Sequence, residues 1–139
     1  MTQPLPGITG FAQVALSVAD LDKAITFYRD VLGLTFLFSA PPSLAFLQCG
    51  PTRVMLSGGP QTTPPAGGPI LYYAVPDIQA AFAAITAMGA PVREMPKAIA
   101  KVGGREVWLG FTEDPDGHLV GLMSEVPLSE ASGFTDRSR

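Results

Sequence analysis

The segment QVALSVADLDKAITFYRDVLGL (residues 13–34) contains a strand pattern, a capping residue and a helix pattern in direct succession. In its first six residues, large apolar side chains alternate with small or polar ones at Val14, Leu16 and Val18. This alternation indicates a strand with one buried face. Asp20 then occupies the position of a helix N-cap, where a carboxylate accepts a hydrogen bond from the first turn. A strand followed by a helix from about Leu21 to Gly33 is therefore predicted.

The predicted helix has an apolar stripe and a defined end. Apolar residues recur at helical spacing, at Leu21, Ala24, Ile25, Tyr28 and Leu32. Such a stripe is typical of a helix that packs one face on a core. Gly33 then follows, a residue that commonly ends a helix because it adopts positive φ without strain.

The same succession occurs again in PILYYAVPDIQAAFAAITAMGAPV (residues 69–92), where Asp77 corresponds to Asp20 and Gly89 to Gly33. Three further strands are predicted after each helix, at about 34–39, 44–49 and 53–57 in the first half and at about 91–98, 105–112 and 118–124 in the second. The last two are separated by the turn DPDG, a strong hairpin signal. The chain is therefore predicted to contain two β-α-β-β-β modules.

The domain organisation follows from this repeat. We predict a single domain over residues 1–126, with module one at about 8–58, a linker at about 58–69 and module two at about 69–125. The linker is rich in Gly, Pro and Thr without periodicity, and residues 127–139 are predicted to form a polar tail. A four-stranded sheet that packs a helix on one face leaves its other face bare. An α+β fold is expected, in which the bare faces curve into an eight-stranded trough with two outer helices.

Composition excludes several classes of function. Charged residues make up 15% of the 139 residues and the net charge is −3, so nucleic acid is not an expected partner. No apolar run is long enough for a membrane span, and the N-terminus lacks the features of a signal peptide. The single cysteine, Cys49, excludes an internal disulfide. A cytoplasmic location is the default prediction.

Two segments carry a family resemblance. Residues 13–34 and FTEDPDGHLVGL (residues 111–122) resemble the opening strand and helix and the closing hairpin of the vicinal oxygen chelate superfamily. This superfamily includes glyoxalase I, extradiol dioxygenases, and the bleomycin and fosfomycin resistance proteins. The resemblance covers roughly residues 8–125. It implies paired β-α-β-β-β modules and a homodimer, with the trough completed either within one chain or across swapped partners.

The metal enzymes of this superfamily carry four ligand positions inside the trough, usually His or Gln, Glu, His or Gln, and Glu. The resemblance places these positions at Gln13, Met55, Ile70 and Gly121, with the register at Met55 the least defined. Only Gln13 offers an oxygen or nitrogen ligand for a hard divalent ion. The resemblance therefore implies a trough without a metal cofactor, and a bound divalent metal is the less favoured alternative.

Three functions remain open from the sequence. The first is binding of a small, largely apolar or aromatic molecule, as in bleomycin-resistance-type sequestration, with Gly121 allowing a flat ligand to approach the sheet. The predicted ligand-binding residues are Gln13, Met55, Ile70, Tyr72, Trp108, Gly121 and Met123. The second is a glyoxalase-like or dioxygenase-like enzyme with atypical metal ligands, or with acid–base catalysis by Tyr72, Glu106 or Glu113. The third is a structural or regulatory subunit whose trough has collapsed.

Several residues have two interpretations each. Trp108 is a candidate stacking wall for a flat ligand, and equally a core or dimer-interface residue. Arg53 and Arg105 are able to fix an anionic ligand, although solvated strand arginines are more common. His118 is interpreted as a surface turn residue, and Cys49 as an inert thiol.

Overall fold

The computed structural model describes residues 7–58 and 68–128 of the chain. The predicted linker residues 59–67 and tail residues 129–139 lie outside the described residues. The chain divides into two compact units, Met1–Pro64 and Pro65–Arg139. Each unit corresponds to one predicted module and is described by itself.

The first unit has a strand, a helix and three further strands. Its elements are β1 (Gln13–Val18), α1 (Leu21–Thr26), a π-helical segment (Phe27–Val31), β2 (Thr35–Ala40), β3 (Leu44–Cys49) and β4 (Thr52–Gly58). The sheet has the order β1-β4-β3-β2, with β1 parallel to β4 and the other neighbours antiparallel.

The second unit repeats this order. Its elements are β5 (Leu71–Ala74), α2 (Ile78–Ala87), β6 (Val92–Val102), β7 (Arg105–Glu113) and β8 (Leu119–Pro127). The sheet has the order β5-β8-β7-β6, with β5 parallel to β8. The α+β class and the repeated β-α-β-β-β order are therefore confirmed. Neither helix in the described ranges is long and apolar enough to cross a membrane.

Both predicted caps are confirmed. Asp20 Oδ1 accepts a hydrogen bond from the backbone N–H of Lys23 at 3.1 Å. Asp77 Oδ1 accepts one from Ala80 at the same distance. Each carboxylate satisfies a backbone donor that has no partner inside its own helix, which fixes where the helix begins.

The core of the first unit lies between α1 and one face of its sheet. Val18, Leu47 and Leu56 are completely buried, and Ala24 and Tyr28 from the helical region pack there with them. The predicted register of β1 is confirmed, because Gln13 and Ala15 are exposed on its opposite face. The predicted stripe omitted Phe27, which is buried. Phe27 lies three residues after the buried Ala24, so ordinary helical spacing already places it on the core face.

The core of the second unit depends on a close approach of α2 to β7. Ile78, Phe82 and Ile85 form the buried face of the helix. A Cβ atom added at Gly110 would lie 2.6 Å from Phe82 Cζ, closer than atoms pack in protein cores. Gly110 therefore allows the Phe82 ring to rest directly on the strand.

Two strands are longer than the sequence predicts. β6 continues to Val102 and β8 continues to Pro127, so the predicted tail overlaps the sheet at its first residue. Pro127 pairs with Arg105 across β7 and β8. Cross-strand hydrogen bonding extends a strand beyond its hydrophobic pattern, and this pairing is not encoded in the local sequence.

We expect Asp77→Ala to lower the free energy of unfolding by about 1 kcal/mol, because the N-cap hydrogen bond of α2 is lost. Asp77→Asn is the matched control and should be close to neutral, because asparagine also caps helices well. Urea denaturation followed by circular dichroism measures both variants. Equal stabilities of the Ala and Asn variants would contradict a capping role.

Candidate functional site

Each sheet has one face that packs on the helix of its unit and an opposite face, which we call its open face. On the first open face lie side chains from all four strands: Gln13, Ala15 and Ser17; Arg53, Met55 and Ser57; Leu44, Phe46 and Gln48; and Phe38. On the second lie Tyr72 and Ala74; Leu119, Gly121 and Met123; and Leu109, Phe111 and Glu113. The predicted ligand-binding residues are described below by the open face on which each of them lies.

Gln13 and Met55 are brought together on the first open face. The parallel pairing of β1 with β4 places Ala15 beside Met55 and Gln13 beside Arg53. Gln13 Nε2 lies 3.8 Å from Met55 Sδ, a weak donor–acceptor contact. The two residues are therefore neighbours on this face, and they present an amide and a thioether.

An aromatic pair adjoins them. The rings of Phe38 and Phe46 stack with centroids 4.7 Å apart and planes inclined by 27°. The guanidinium carbon of Arg53 lies 5.9 Å from the centroid of Phe46, within the range of a cation–π contact. Sequence reasoning did not select either phenylalanine. The strand parity shared with Met55 is the signal that could have found Phe46.

Tyr72 and Gly121 are brought together on the second open face. They are register partners in the parallel pair of β5 and β8, and Phe111 is the partner of Gly121 on the other side. A Cβ atom at Gly121 would lie 2.6 Å from Tyr72 Cδ2. The Tyr72 ring also contacts Phe111 edge-on, with centroids 5.7 Å apart. Tyr72 therefore fills the space that Gly121 leaves.

This geometry corrects the expected role of Gly121. The sequence suggested that a flat ligand approaches the sheet there. The chain's own Tyr72 ring occupies that approach, and Gly121 is buried beneath it. The missing side chain is explained by an intramolecular aromatic contact.

Ile70 and Met123 lie on either side of this contact. Ile70 precedes the first residue of β5 and is 38% exposed. Met123 pairs with Ala74 and with Leu109 and is half-buried. Both contribute hydrocarbon or thioether surface, so this part of the second open face is apolar.

Trp108 is a core residue, which was one of its two interpretations, and the prediction that it lines the trough as a ligand-binding residue is wrong. Trp108 is 3% exposed and lies on the face that packs against α2. Its Nε1 donates a hydrogen bond to Glu106 Oε1 at 3.0 Å. Glu106 is also buried on this side, so the suggestion that it reaches into the trough as an acid or base is wrong as well.

Strand parity explains this correction. The DPDG turn sets the pairing of β7 with β8, which makes Phe111 the partner of Gly121. Successive residues of a strand point to opposite faces, so Trp108 lies opposite to Phe111. The cavity beside Trp108 measures about 10 Å³, which is room for one water molecule and not for an organic ligand.

The DPDG turn itself contains a group of potential metal ligands. Donor atoms of Asp114, Asp116 and His118 lie within 4.8 Å of one another. Asp114 Oδ1 accepts hydrogen bonds from the backbone N–H groups of Asp116 and His118 at 3.0 and 2.8 Å. Its Oδ2 lies 2.7 Å from His118 Nδ1. Both oxygens of the buried Asp114 carboxylate therefore already have hydrogen-bond partners within the turn. These hydrogen bonds stabilise the turn and explain why the three side chains lie together.

His118 is less exposed than the sequence suggested. Its side chain is 18% exposed, whereas a surface turn residue was expected. The contact with Asp114 holds the imidazole against the turn. The low exposure of His118 arises because the tight turn brings its side chain close to Asp114. This contact is not visible when each residue of the sequence is considered alone.

The remaining reactive groups are held by partners or by burial. Arg105 donates to the carbonyl oxygen of Glu125 at 2.8 Å, and Glu113 forms an ion pair with Arg93. Burial raises the pKa of the Cys49 thiol, so the thiolate fraction at neutral pH falls and nucleophilic reactivity falls with it.

Comparison with known proteins agrees with the fold. The family model described as the Glyoxalase/Bleomycin resistance protein/Dioxygenase superfamily matches residues 10–122. The chain belongs to this superfamily. No curated protein matches the chain.

Solved structures with similar folds include a lactoylglutathione lyase from Agrobacterium tumefaciens, with 23% identity, a TM-score of 0.69, and coverage of 85% of this chain and 95% of that one. An integron cassette protein from V. cholerae has 22% identity, a TM-score of 0.69, and coverage of 86% and 98%. A virulence protein from Salmonella typhimurium has 24% identity, a TM-score of 0.69, and the same two coverages. At these identities the likeness concerns the fold alone.

The family's divalent metal does not fit the residues at the four positions that the resemblance assigns to its ligands. Met55 offers a thioether, Ile70 offers no ligand atom, and any side chain at Gly121 would collide with the Tyr72 ring. A thioether suits soft ions such as Cu(I) and not Mn, Fe, Ni or Zn. Gln13 alone would coordinate such an ion weakly.

The packing of Tyr72 on Gly121 predicts energetic coupling between the two residues. In a Tyr72→Ala background, Gly121→Ala should stabilise the protein by roughly 0.5–1 kcal/mol, because alanine loses less backbone entropy than glycine. With Tyr72 present, this gain should be cancelled or reversed, because the new Cβ displaces the ring from Phe111.

A double-mutant cycle in urea denaturation isolates the coupling, which we expect to be about 1–2 kcal/mol. Gly121→Ala should therefore have different effects in the two backgrounds. Identical effects would contradict the contact between Tyr72 and Gly121.

Proposed function

We propose that the protein binds a small, largely apolar or aromatic molecule on the open faces of its sheets, without a metal ion. The observation that carries the proposal is the replacement of metal-ligand chemistry by aromatic and apolar surface at the family's ligand positions. Tyr72 over Gly121 is the clearest instance. Binding of this kind corresponds to the sequestering members of the superfamily.

Exposure of the aromatic residues supports the proposal. Phe38 is 48% exposed and Tyr72 is 46% exposed. Large aromatic side chains dominate small-molecule recognition because they supply much contact area and lose little conformational freedom. Each of these rings has a partner ring within its own sheet, so it is already oriented for contact with a ligand.

The alternative is an enzyme acting on a small oxygenated substrate. Of the acid–base candidates, Tyr72 remains on an open face, whereas Glu106 is buried beside Trp108 and Glu113 is paired with Arg93. A single phenol does not supply the two groups, one acid and one base, that acid–base catalysis uses. These contacts favour binding over catalysis.

Binding of a neutral aromatic probe tests the proposal. We expect 2-naphthol to bind with an affinity measurable by calorimetry and to raise the melting temperature by mass action. Met55→Glu should weaken this binding at least about tenfold, because it places a charge within the apolar surface. Met88→Glu is the matched control, since Met88 is 55% exposed at the C-terminal end of α2, and it should leave the affinity unchanged. Equal effects of the two variants would contradict binding at the first open face.

Elemental analysis tests the metal-free state. Protein purified without chelator should contain substoichiometric Mn, Fe, Ni and Zn, and added metal should not raise the melting temperature. The physical reason is the absence of suitable donors at Met55, Ile70 and Gly121. One equivalent of tightly held metal that is lost in Gln13→Ala would assign the protein to the metal-dependent enzymes.

We also propose a homodimer. Large apolar side chains are exposed along β6, an edge strand, where Met95, Ile99 and Val102 are 63%, 51% and 60% exposed. An exposed apolar edge strand is a typical surface for association with a second copy. The cytoplasmic location and the absence of a nucleic-acid partner stay predictions that rest on composition.

Light scattering at tens of micromolar should give twice the 14.6 kDa chain mass. Met95→Lys combined with Ile99→Lys should shift the protein towards monomer, because two charges would enter the apolar interface. Met88→Lys is the control at a 55% exposed position on α2's C-terminal end. A monomer in the unaltered protein would overturn the proposal.

A further inference from the structure

We propose that the open face of the first sheet selects an aromatic carboxylate, with the ring against Phe38 and Phe46 and the carboxylate paired with Arg53. This inference rests on the proposed function, because it takes ligand binding at the open faces as given. It adds the chemical class of the ligand and the place of each of its parts.

The strand register arranges this face in rows. Gln13, Arg53 and Gln48 form one cross-strand row, since Arg53 is the register partner of both glutamines. The next row contains Ala15, Met55, Phe46 and Phe38. Residues two apart on a strand lie about 6–7 Å from each other. A polar row with a cation therefore runs directly beside an apolar, aromatic row.

The aromatic row has a surface suited to a planar ring. Phe38 and Phe46 are stacked at 4.7 Å, and Phe38 keeps nearly half of its surface exposed. Ala15 and Met55 continue this row across β1 and β4. A flat ligand would extend the stack and bury further apolar surface on both itself and the protein.

Arg53 supplies an uncompensated positive charge. The four strands of the first sheet, QVALSV, TFLFSA, LAFLQC and TRVMLSG, contain no aspartate or glutamate, and Arg53 is their only charged residue. Within residues 7–58 and 68–128, no carboxylate pairs with it. The other arginines in these ranges are engaged: Arg29 with Asp30, Arg93 with Glu113, and Arg105 with the carbonyl of Glu125.

The guanidinium group of Arg53 lies close to the ring of Phe46. Its carbon lies 5.9 Å from the Phe46 centroid, so the group stands at the border between the two rows. A planar guanidinium matches a carboxylate through two parallel hydrogen bonds. A ring placed on the aromatic row would carry a directly attached carboxylate within reach of Arg53. A ligand with a positive charge would be repelled at the same point.

Two matched probes separate the contribution of the ring from that of the charge. Calorimetry should show that 2-naphthoate binds about tenfold more tightly than its neutral analogue 2-naphthamide, because a charge-assisted pair is stronger than a neutral hydrogen bond. Arg53→Gln should weaken 2-naphthoate about tenfold and leave 2-naphthamide unchanged. Arg105→Gln, on the second sheet, should leave the preference intact. Phe38→Leu should weaken both probes.

A salt series gives a second measurement that needs no variant. The preference for 2-naphthoate over 2-naphthamide should shrink as sodium chloride rises, because the ion pair is screened. Melting temperatures close to that of the unaltered protein establish that each variant is folded.

The outcomes distinguish this inference from the proposed function. Equal affinities for the acid and the amide, a preference that is insensitive to salt, or a preference that persists in Arg53→Gln would overturn the selection of a carboxylate. Aromatic binding as such would then stand. Failure of 2-naphthol, 2-naphthoate and 2-naphthamide alike to bind would overturn both proposals.

Discussion

The parallel pairing of the first strand of each unit with its last strand is the constraint on which the rest of this structure depends. It joins β1 to β4 and β5 to β8, so residues separated by 40 or more positions in the chain become direct neighbours. The register of each pair then decides which side chains reach the core and which reach the open face, because a slip of one residue would exchange the two sets. Gln13 meets Arg53, and Tyr72 meets Gly121, as a consequence of this register.

Two glycines of the second sheet illustrate how differently its two faces are used. Gly110 lies on the helix side, where it allows Phe82 of α2 to rest on β7. Gly121 lies on the open side, where it allows Tyr72 to lie across β8. At both positions the absence of a side chain allows an aromatic ring to pack closely on the strand. The first contact holds the helix on the sheet, and the second places an aromatic ring on the open face.

The two open faces differ in their electrostatics. On the first, Arg53 faces no acidic residue of its sheet, whereas on the second Glu113 and Arg105 are held by Arg93 and the Glu125 carbonyl. Charges that are already paired contribute little to recognition of a further ion, because a ligand must displace the existing partner. On the first face Arg53 borders the stacked rings of Phe38 and Phe46, and this arrangement makes it the better candidate for a ligand with a carboxylate group.

The sequence by itself determined the local features of this protein. The repeat, the caps at Asp20 and Asp77 and the DPDG hairpin follow from interactions within a few residues, and strand parity placed Gln13 on the open side of its strand. The tertiary structure decided the rest. The burial of Trp108 against α2, the ring of Tyr72 over Gly121 and the position of Arg53 between strands that contain no acidic residue each depend on which strands are neighbours. A residue's own sequence context does not contain these long-range contacts, since they arise only when β1 pairs with β4 and β5 pairs with β8.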